Sequence, residues 1–359
     1  MQTAHAAKKR GVCATRGSLE GKAADRMGMR AQHIWFGLAS VTLLVGLGQR
    51  SLLARRPPSP AELMARAQSL MGIRAQGEPA FHLEGSLALF GYPKGELSGS
   101  YELLWLSPEE WRETISLPGY LEDRLVVGSK AWSLRSTPYT PYGVFQLDQS
   151  LNYTYWLGRR QGKRLSNTWA RREKGIREWC YRIKMQGAGR TACFDANSGL
   201  LLSDGNSAGR TRFSHYKPWG SKFFPGTISV FDNGVRVAEF RAERVSSLLY
   251  PGLAAFSPPP GAKASAWCQS PTPGRLLKSV PPSYPVGALA FRAAGTVRVL
   301  AEIGVDGKLH HAYVALTPDK SLDSTVLRAL RQWRYQPDKC QGAPVPVEAE
   351  IDVNFELTN

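Results

Sequence analysis

The chain has 359 residues, which is enough for two ordinary domains, and 43% of them are hydrophobic. This composition excludes a chain that is disordered throughout and allows buried cores. The formal net charge is +17, of which residues 1–56 carry +8 (ten Lys and Arg against two acids) and the rest +9. A basic excess suits anionic partners such as phospholipid headgroups or nucleic acid, and it does not select between them.

The N-terminal region combines a basic extension, residues 1–33, with an apolar segment within residues 34–56. The uncharged run IWFGLASVTLLVGLG has fifteen residues, fewer than the roughly 20 that a membrane helix needs. Its length suits the apolar region of a signal peptide. A cleaved signal and an uncleaved inner-membrane anchor remain alternatives, with a buried helix as a third. The first two place the rest of the chain in the periplasm, which disfavours nucleic acid as a partner.

Four of the five cysteines follow the apolar run, and an even number is what an oxidising compartment favours. Cys180 and Cys193 flank a Gly-containing turn and could face each other across a hairpin. That pairing leaves Cys268 with Cys340; four free, buried thiols are the alternative. There is no C-x-x-C motif and no His at ligand spacing beside a Cys. We therefore predict no metal site and no cofactor.

Residues 57–252 are predicted to form an antiparallel β domain that begins with an amphipathic helix at 60–72. A helical stretch is expected at 145–173, and turn residues separate the strands. The strands are predicted at 81–90, 98–106, 111–117, 123–127, 130–135, 178–185, 190–195, 200–203, 211–218, 227–231 and 236–244.

This order of elements resembles the LolA/LolB-like half-barrel of lipoprotein carriers. The sequences Cys193-Phe194-Asp195, Ser198-Gly199-Leu200-Leu201 and Phe224-Pro225, with the hairpin Asp232-Asn233-Gly234, fit that pattern. The resemblance implies a curved sheet closed by helices around an apolar cavity for acyl chains. Its lining residues would be Tyr101, Leu103, Trp105, Trp111 and Ile115. The alternative is that these side chains are simply core.

A strongly basic stretch, residues 159–177, has Trp156 and Trp169 nearby. It is interpreted either as a contact for anionic lipid headgroups or as an ordinary solvated face.

No residues assemble into a predicted active site. The sequence Gly205-Asn206-Ser207-Ala208-Gly209 has the G-x-S-x-G pattern, but a nucleophile elbow needs a helix after the Ser, and here a strand is expected. His310 and His311 are adjacent on a predicted strand and point to opposite faces, so they are poor joint ligands. We therefore predict no catalytic residues and a protein that is not an enzyme.

Residues 253–282 are rich in Pro, Gly and Ser and are predicted to be a linker to a last domain at 283–359. There, two alternating strands (297–305 and 309–316) flank the turn Asp306-Gly307, and an apolar helix stripe leads to Trp333. A final strand over 345–357 is expected to alternate without a break. Its apolar row would face the helix, and a row of acids from Glu348 to Glu356 would face outward. The chain as a whole is thus assigned to the α+β class.

The last 75 residues carry motifs similar to those of the TonB C-terminal domain family. The motifs are Tyr284-Pro285 with Ala288, Gly295-Thr296-Val297, Asp306-Gly307, Leu322-Asp323, Arg331-Gln332-Trp333-Arg334-Tyr335-Gln336-Pro337 and Gly342-Ala343-Pro344-Val345. The resemblance implies a module that binds a segment of an outer-membrane or periplasmic protein by adding it as a strand to the sheet edge. The expected partner-binding residues are Tyr284, Pro285, Val347, Ala349, Ile351, Val353 and Phe355. The acidic row would protect this edge or be an ordinary solvated face.

The resemblance has two departures. TonB transducers carry a Ser-x-x-x-His pair in their membrane helix, whereas Ser40 is followed by Leu44 here. A folded domain also replaces the long Pro-rich spacer. The sequence therefore favours an exported, membrane-associated binding protein of TonB type with a role in transport. A lipid or lipoprotein carrier that acts through the middle domain is the alternative.

Overall fold

The computed structural model describes residues 8–9, 56–91, 95–153, 165–183, 189–206, 208–249, 252–268 and 271–357. The apolar run at 34–48 lies outside these ranges. Within them, no helix is long and apolar enough to cross a membrane.

The described helices are short. They are α1 (Pro60–Met71), α2 (Tyr142–Leu151), α3 (Val286–Ala290) and α4 (Asp323–Leu330), with 3₁₀ turns at Leu253–Phe256 and Lys320–Leu322. The strands are β1 (Lys8–Lys9), β2 (Phe81–Phe90), β3 (Glu96–Ser107), β4 (Glu110–Leu117), β5 (Tyr120–Val127), β6 (Lys130–Arg135), β7 (Trp169–Glu173), β8 (Ile176–Ile183), β9 (Arg190–Asp195), β10 (Leu201–Gly205), β11 (Gly209–Ser214), β12 (Lys217–Trp219), β13 (Lys222–Phe224), β14 (Thr227–Asp232), β15 (Val235–Ser247), β16 (Lys263–Ala266), β17 (Arg275–Lys278), β18 (Gly295–Ile303), β19 (Leu309–Leu316), β20 (Arg334–Gln336), β21 (Asp338–Cys340), β22 (Ala343–Val345) and β23 (Val347–Phe355).

The middle domain is built on one antiparallel sheet of thirteen strands in the order β16-β6-β5-β4-β3-β2-β15-β14-β11-β10-β9-β8-β7. Its strands alternate as half-buried strands should: β2 buries every second side chain. The inward side chains join Leu63 and Met64 of α1 and Val144 and Leu147 of α2 in one core. Helix α2 lies against β2, β14 and β15.

The helical stretch predicted for residues 145–173 is wrong at its C-terminal end. Helix α2 ends at Leu151, and residues 169–173 are strand β7, which pairs with β8. The turn between them is Lys174-Gly175, where both residues have positive φ (49° and 84°). Two consecutive positive φ values make the tight turn that joins hairpin strands. Positive φ is common for glycine and uncommon for lysine, so Lys174 does not indicate this turn in the sequence.

Residues 253–282, predicted as a linker, form strand pairs with both the middle domain and the C-terminal domain. Strand β16 pairs with β6 of the middle sheet, and β17 pairs with β20 after α4. The Trp267 ring contacts Trp111 of the middle core, with centroids 5.4 Å apart. The segment therefore holds the two domains together rather than separating them.

The C-terminal domain is a small sheet with one helix on one side, in the order β1-β23-β18-β19. The predicted turn at Asp306-Gly307 joins β18 to β19. Gly307 has φ 71°, and a Cβ there would lie 2.2 Å from the Tyr335 carbonyl oxygen, so only glycine fits. The final strand predicted over 345–357 runs unbroken over Val347–Phe355, two residues shorter at each end; Pro346, which has no amide hydrogen to donate, separates it from β22.

Both predicted disulfides are present, Cys180–Cys193 and Cys268–Cys340. The first crosses the β8–β9 pair, where the two cysteines are direct partners. The second joins the chain just after β16 to β21, with its Cα atoms 5.7 Å apart. It therefore links the end of the middle sheet to the C-terminal domain.

The Cys268–Cys340 bond closes a loop of 72 residues. Its removal raises the conformational entropy of the unfolded chain and so favours unfolding. We expect Cys268→Ser with Cys340→Ser to lower the free energy of unfolding by about 2–4 kcal/mol. Urea denaturation of the full chain measures this loss. The control is Cys13→Ser, because the other four cysteines are paired with one another. An equal effect of both changes would contradict the structural role of the bond.

Candidate functional site: the edge of the C-terminal sheet

Strand β23 has a regular inner side and an open outer side. Along its whole length it pairs antiparallel with β18, from Val347 opposite Ile303 to Phe355 opposite Gly295, without a register shift. On the other side, β23 pairs only with Lys9 at Ala349 and Lys8 at Glu350. No other described strand lies along that side. Most of the outer edge therefore keeps the backbone groups that an added strand would use.

The side chains expected to bind a partner face the domain core instead of the edge. Val347, Ala349, Ile351, Val353 and Phe355 are all buried and pack with Val326, Leu330 and Trp333. A guest strand would therefore meet their backbone groups and not their side chains. The Tyr284 ring lies against Phe355 (centroids 5.1 Å apart), and Pro285 precedes α3. Both stand at the end of β23; a role in binding stays a prediction.

The opposite edge of the sheet, β19, is less suited to accept a strand. Its register with β18 shifts twice, between Arg298 and Val299 and between Leu300 and Glu302. His311 on this strand has a positive φ of 51°. Irregularities of this kind twist an edge away from regular pairing. Of the two strands that flank β18, β23 is the better template, because its register is regular and only the two residues of β1 are described on its outer side.

Two acids of the row on β23, Glu348 and Glu350, are neither solvated nor free to shield the edge. Side chains of the row meet the middle domain. Glu348 accepts a hydrogen bond from Thr140 Oγ1 at 2.7 Å and pairs with Arg135. Gln146 of α2 donates to Glu350, whose side chain is only 8% exposed. The solvated-face interpretation therefore fails for Glu348 and Glu350, because the second domain covers this face of the sheet.

Arg298 of β18 is the centre of this contact between the domains. Its side chain is 9% exposed, and Nε donates to Asp352 Oδ1 at 2.8 Å. Nη1 donates to the Tyr142 hydroxyl at 2.7 Å and also pairs with Asp232 at the end of β14. Glu350 Oε1 lies 3.5 Å from Nε. One cation thus neutralises carboxylates of both domains, as a buried charge requires.

The electrostatics fix the protonation states in this cluster. Burial alone would lower the pKa of Arg298, but the hydrogen bond to Asp352 and the charge of Glu350 raise it above its usual value. Burial raises the pKa of the Tyr142 hydroxyl, and the Glu350 carboxylate raises it further. Tyr142 therefore stays protonated, and its hydroxyl donates a hydrogen bond to the Asp232 carboxylate. Sequence reasoning missed Arg298, Tyr142 and Asp232, since nothing in the pattern joins residues so far apart.

The five residues expected to line a lipid cavity lie in the core of the middle domain. The side chains of Tyr101, Leu103, Trp105, Trp111 and Ile115 are all at most 5% exposed. The Tyr101 hydroxyl donates to Glu113 at 2.5 Å and accepts from Arg74 at 2.8 Å. These residues therefore occupy positions facing the helices, and a lipid-binding role stays a prediction.

The basic stretch is partly neutralised where the structure describes it. Arg171 pairs with Glu173 and Glu178, and Arg212 joins the same Glu173. Residues 159–164 lie outside the described ranges. Among the described residues, the one cluster with the spacing of metal ligands is Glu178 with Cys180 and Cys193. Those two cysteines form a disulfide and offer no thiolate to a metal.

Comparisons with known proteins agree with the C-terminal assignment. Residues 280–357 match the family described as Gram-negative bacterial TonB protein C-terminal. The chain is 36% identical to a protein TonB of Klebsiella pneumoniae over 84 residues, which is 23% of this chain and 33% of that protein. It is 31% identical to a protein TonB of Escherichia coli over 81 residues, 22% of this chain and 34% of that protein.

The chain thus spans about a third of the length of these relatives. Among solved structures, a LolA superfamily protein from Nitrosomonas europaea superposes with a TM-score of 0.37 at 10% identity. The superposition covers 56% of this chain and 98% of that one. The resemblance predicted for the last 75 residues is confirmed by the sequence match, and residues 280–357 form a TonB-type C-terminal domain.

Proposed function

We propose that this protein works in the cell envelope by binding an extended segment of an outer-membrane or periplasmic protein, which adds as a strand to β23. The observation that carries the proposal is the geometry of β23: nine residues lie in regular register with β18, and within the described ranges the outer side pairs only at Ala349 and Glu350. Main-chain hydrogen bonds at this edge would supply affinity. A role in transport across the envelope, and attachment to the inner membrane through residues 34–48, belong to the same proposal.

Two features support β23 as the docking strand. The buried row from Val347 to Phe355 fixes the strand on the helix layer, so its backbone is preorganised for a guest. The pairing of β1 with Ala349 and Glu350 is antiparallel. A guest strand along the whole edge would take the place of Lys8 and Lys9 there and would leave the pairing of β23 with β18 unchanged.

The test is a calorimetric titration of the full chain with a TonB-box-like peptide, that is, a short extended segment of an outer-membrane protein of the kind that TonB-type domains bind. We expect saturable binding that Ala349→Pro or Ile351→Pro weakens about tenfold or more, because proline disturbs the edge backbone. The matched control is Ala312→Pro on β19, the opposite edge of the same sheet, which should leave the affinity unchanged. Circular dichroism verifies that each variant is folded. Binding that survives the β23 changes, or that the β19 change abolishes equally, would refute the proposed edge.

A further inference from the structure

Helix α2 is held from two sides. From Gly143 to Leu151 every residue of the helix is buried, including Gln146, Asp148 and Ser150. On the middle-domain side it approaches β2 so closely that a Cβ on Gly143 would lie 2.6 Å from the Leu89 side chain. On the other side it meets the covered face of the C-terminal sheet. Most buried polar side chains are hydrogen-bonded, so the partners of Gln146, Asp148 and Ser150 identify what holds the helix.

The first set of bonds joins α2 to the interior of the middle domain. Arg124 of β5 pairs with both Asp148 of α2 and Glu113 of β4. Glu113 in turn accepts from the Tyr101 hydroxyl at 2.5 Å. Further along the helix, Ser150 Oγ lies 2.9 Å from Thr211 Oγ1. These bonds hold α2 against the core that contains the predicted lipid-cavity residues.

The second set joins the same helix to the C-terminal sheet. Gln146 donates to Glu350, and Tyr142 at the start of α2 accepts from Arg298 Nη1 at 2.7 Å. The loop just before α2 is held as well. Thr140 donates to Glu348, and its carbonyl oxygen accepts from the Tyr313 hydroxyl at 2.8 Å. Apart from Asp232, which accepts from Tyr142, these polar partners at the start of α2 come from the C-terminal domain.

We propose that the C-terminal sheet acts as a latch on α2, the helix that covers the core of the middle domain. In this arrangement Glu348 and Glu350 of β23 hold the start of α2 in place, while β23 also carries the open edge. Loosening these contacts releases the helix and uncovers the apolar face beneath it. The state of the final strand is thereby coupled to access to the middle-domain core.

Amide hydrogen exchange on the full chain tests the latch without any added ligand. Glu350→Ala combined with Glu348→Ala removes the acceptors that hold Gln146, Thr140 and Arg135. We expect the α2 amides to exchange about tenfold faster or more, while the amides of β2 and β18 keep their rates. The control is Glu356→Ala, an exposed acid just beyond β23, which should change none of these rates.

Gln146→Leu is an independent variant that removes the helix side of the same bond and should give the same local acceleration. Unchanged α2 exchange in both variants would overturn the proposal. Uniform acceleration of α2, β2 and β18 would overturn it too, because it would report loss of the whole fold instead of release of one helix.

Discussion

Replacing Arg298 by methionine is expected to lower the free energy of unfolding by about 3–5 kcal/mol. The guanidinium pairs with Asp232 of the middle domain and Asp352 of the C-terminal domain, and Glu350 lies 3.5 Å away. Methionine preserves much of the side-chain volume but leaves these carboxylates without their shared cation. Removing one partner of a buried ionic cluster costs far more than the cluster contributes when intact.

Urea denaturation of the full chain measures the effect of Arg298→Met. Arg236→Met is the matched control: it also removes an ion pair, with Glu239, but the Arg236 side chain is 42% exposed. That change should cost less than about 1 kcal/mol. Equal, small losses for the two variants would show that the contact between the domains does not depend on the buried cluster.

Trp333→Ala is expected to cost about 3–5 kcal/mol as well, for a different physical reason. The indole is 1% exposed and is among the largest fully buried side chains. It packs with Ile351 and the other buried side chains of the small C-terminal core, and its Nε1 donates to the Val280 carbonyl oxygen at 2.8 Å. Alanine would leave a cavity and remove the donor that pairs with the Val280 carbonyl oxygen.

The control for Trp333→Ala is Phe291→Ala in the same domain, where the ring is 85% exposed. Truncating an exposed ring should change the free energy of unfolding by no more than about 0.5 kcal/mol. Thermal or chemical denaturation distinguishes the two variants. A Trp333→Ala protein as stable as the Phe291→Ala protein would contradict the placement of the indole in the core.

The strands were predictable where each half-buried strand carries its own signal. Strands β2, β6 and β9 lie at the residues expected from alternation and flanking turns. The disulfide between Cys180 and Cys193 followed from a hairpin in the same way. Local periodicity and turn residues determine these features, so one sequence contains the necessary information.

The contact between the domains was not predictable, because it depends on pairs of residues that no local pattern connects. Gln146 and Glu350 are 204 residues apart, and Arg298 lies 66 residues from Asp232. A row of acids on a strand has the same sequence pattern whether water or another domain covers it. The sequence therefore could not show that Glu348 and Glu350 contact the middle domain and not solvent. Only the tertiary structure distinguishes the two cases.

A binding role for the edge could be proposed only through resemblance to a family. The apolar row from Val347 to Phe355 identified β23 as a strand with one buried face, which the burial of all five side chains confirms. It could not identify which lateral side of the strand lacks a partner. That follows from the strand pairing, in which β18 lies along the whole of β23 on one side and the two residues of β1 pair with it on the other.

The most direct measurement is a scan of a TonB-box-like peptide with single backbone N-methyl groups, titrated against the unmodified full chain. An added strand points its amides alternately toward the sheet and toward solvent, so N-methylation should weaken binding at every second position and leave the intervening ones unaffected. A chemical-shift map should place the perturbed amides on β23. Sensitivity that does not alternate, or no binding at all, would contradict strand addition at this edge.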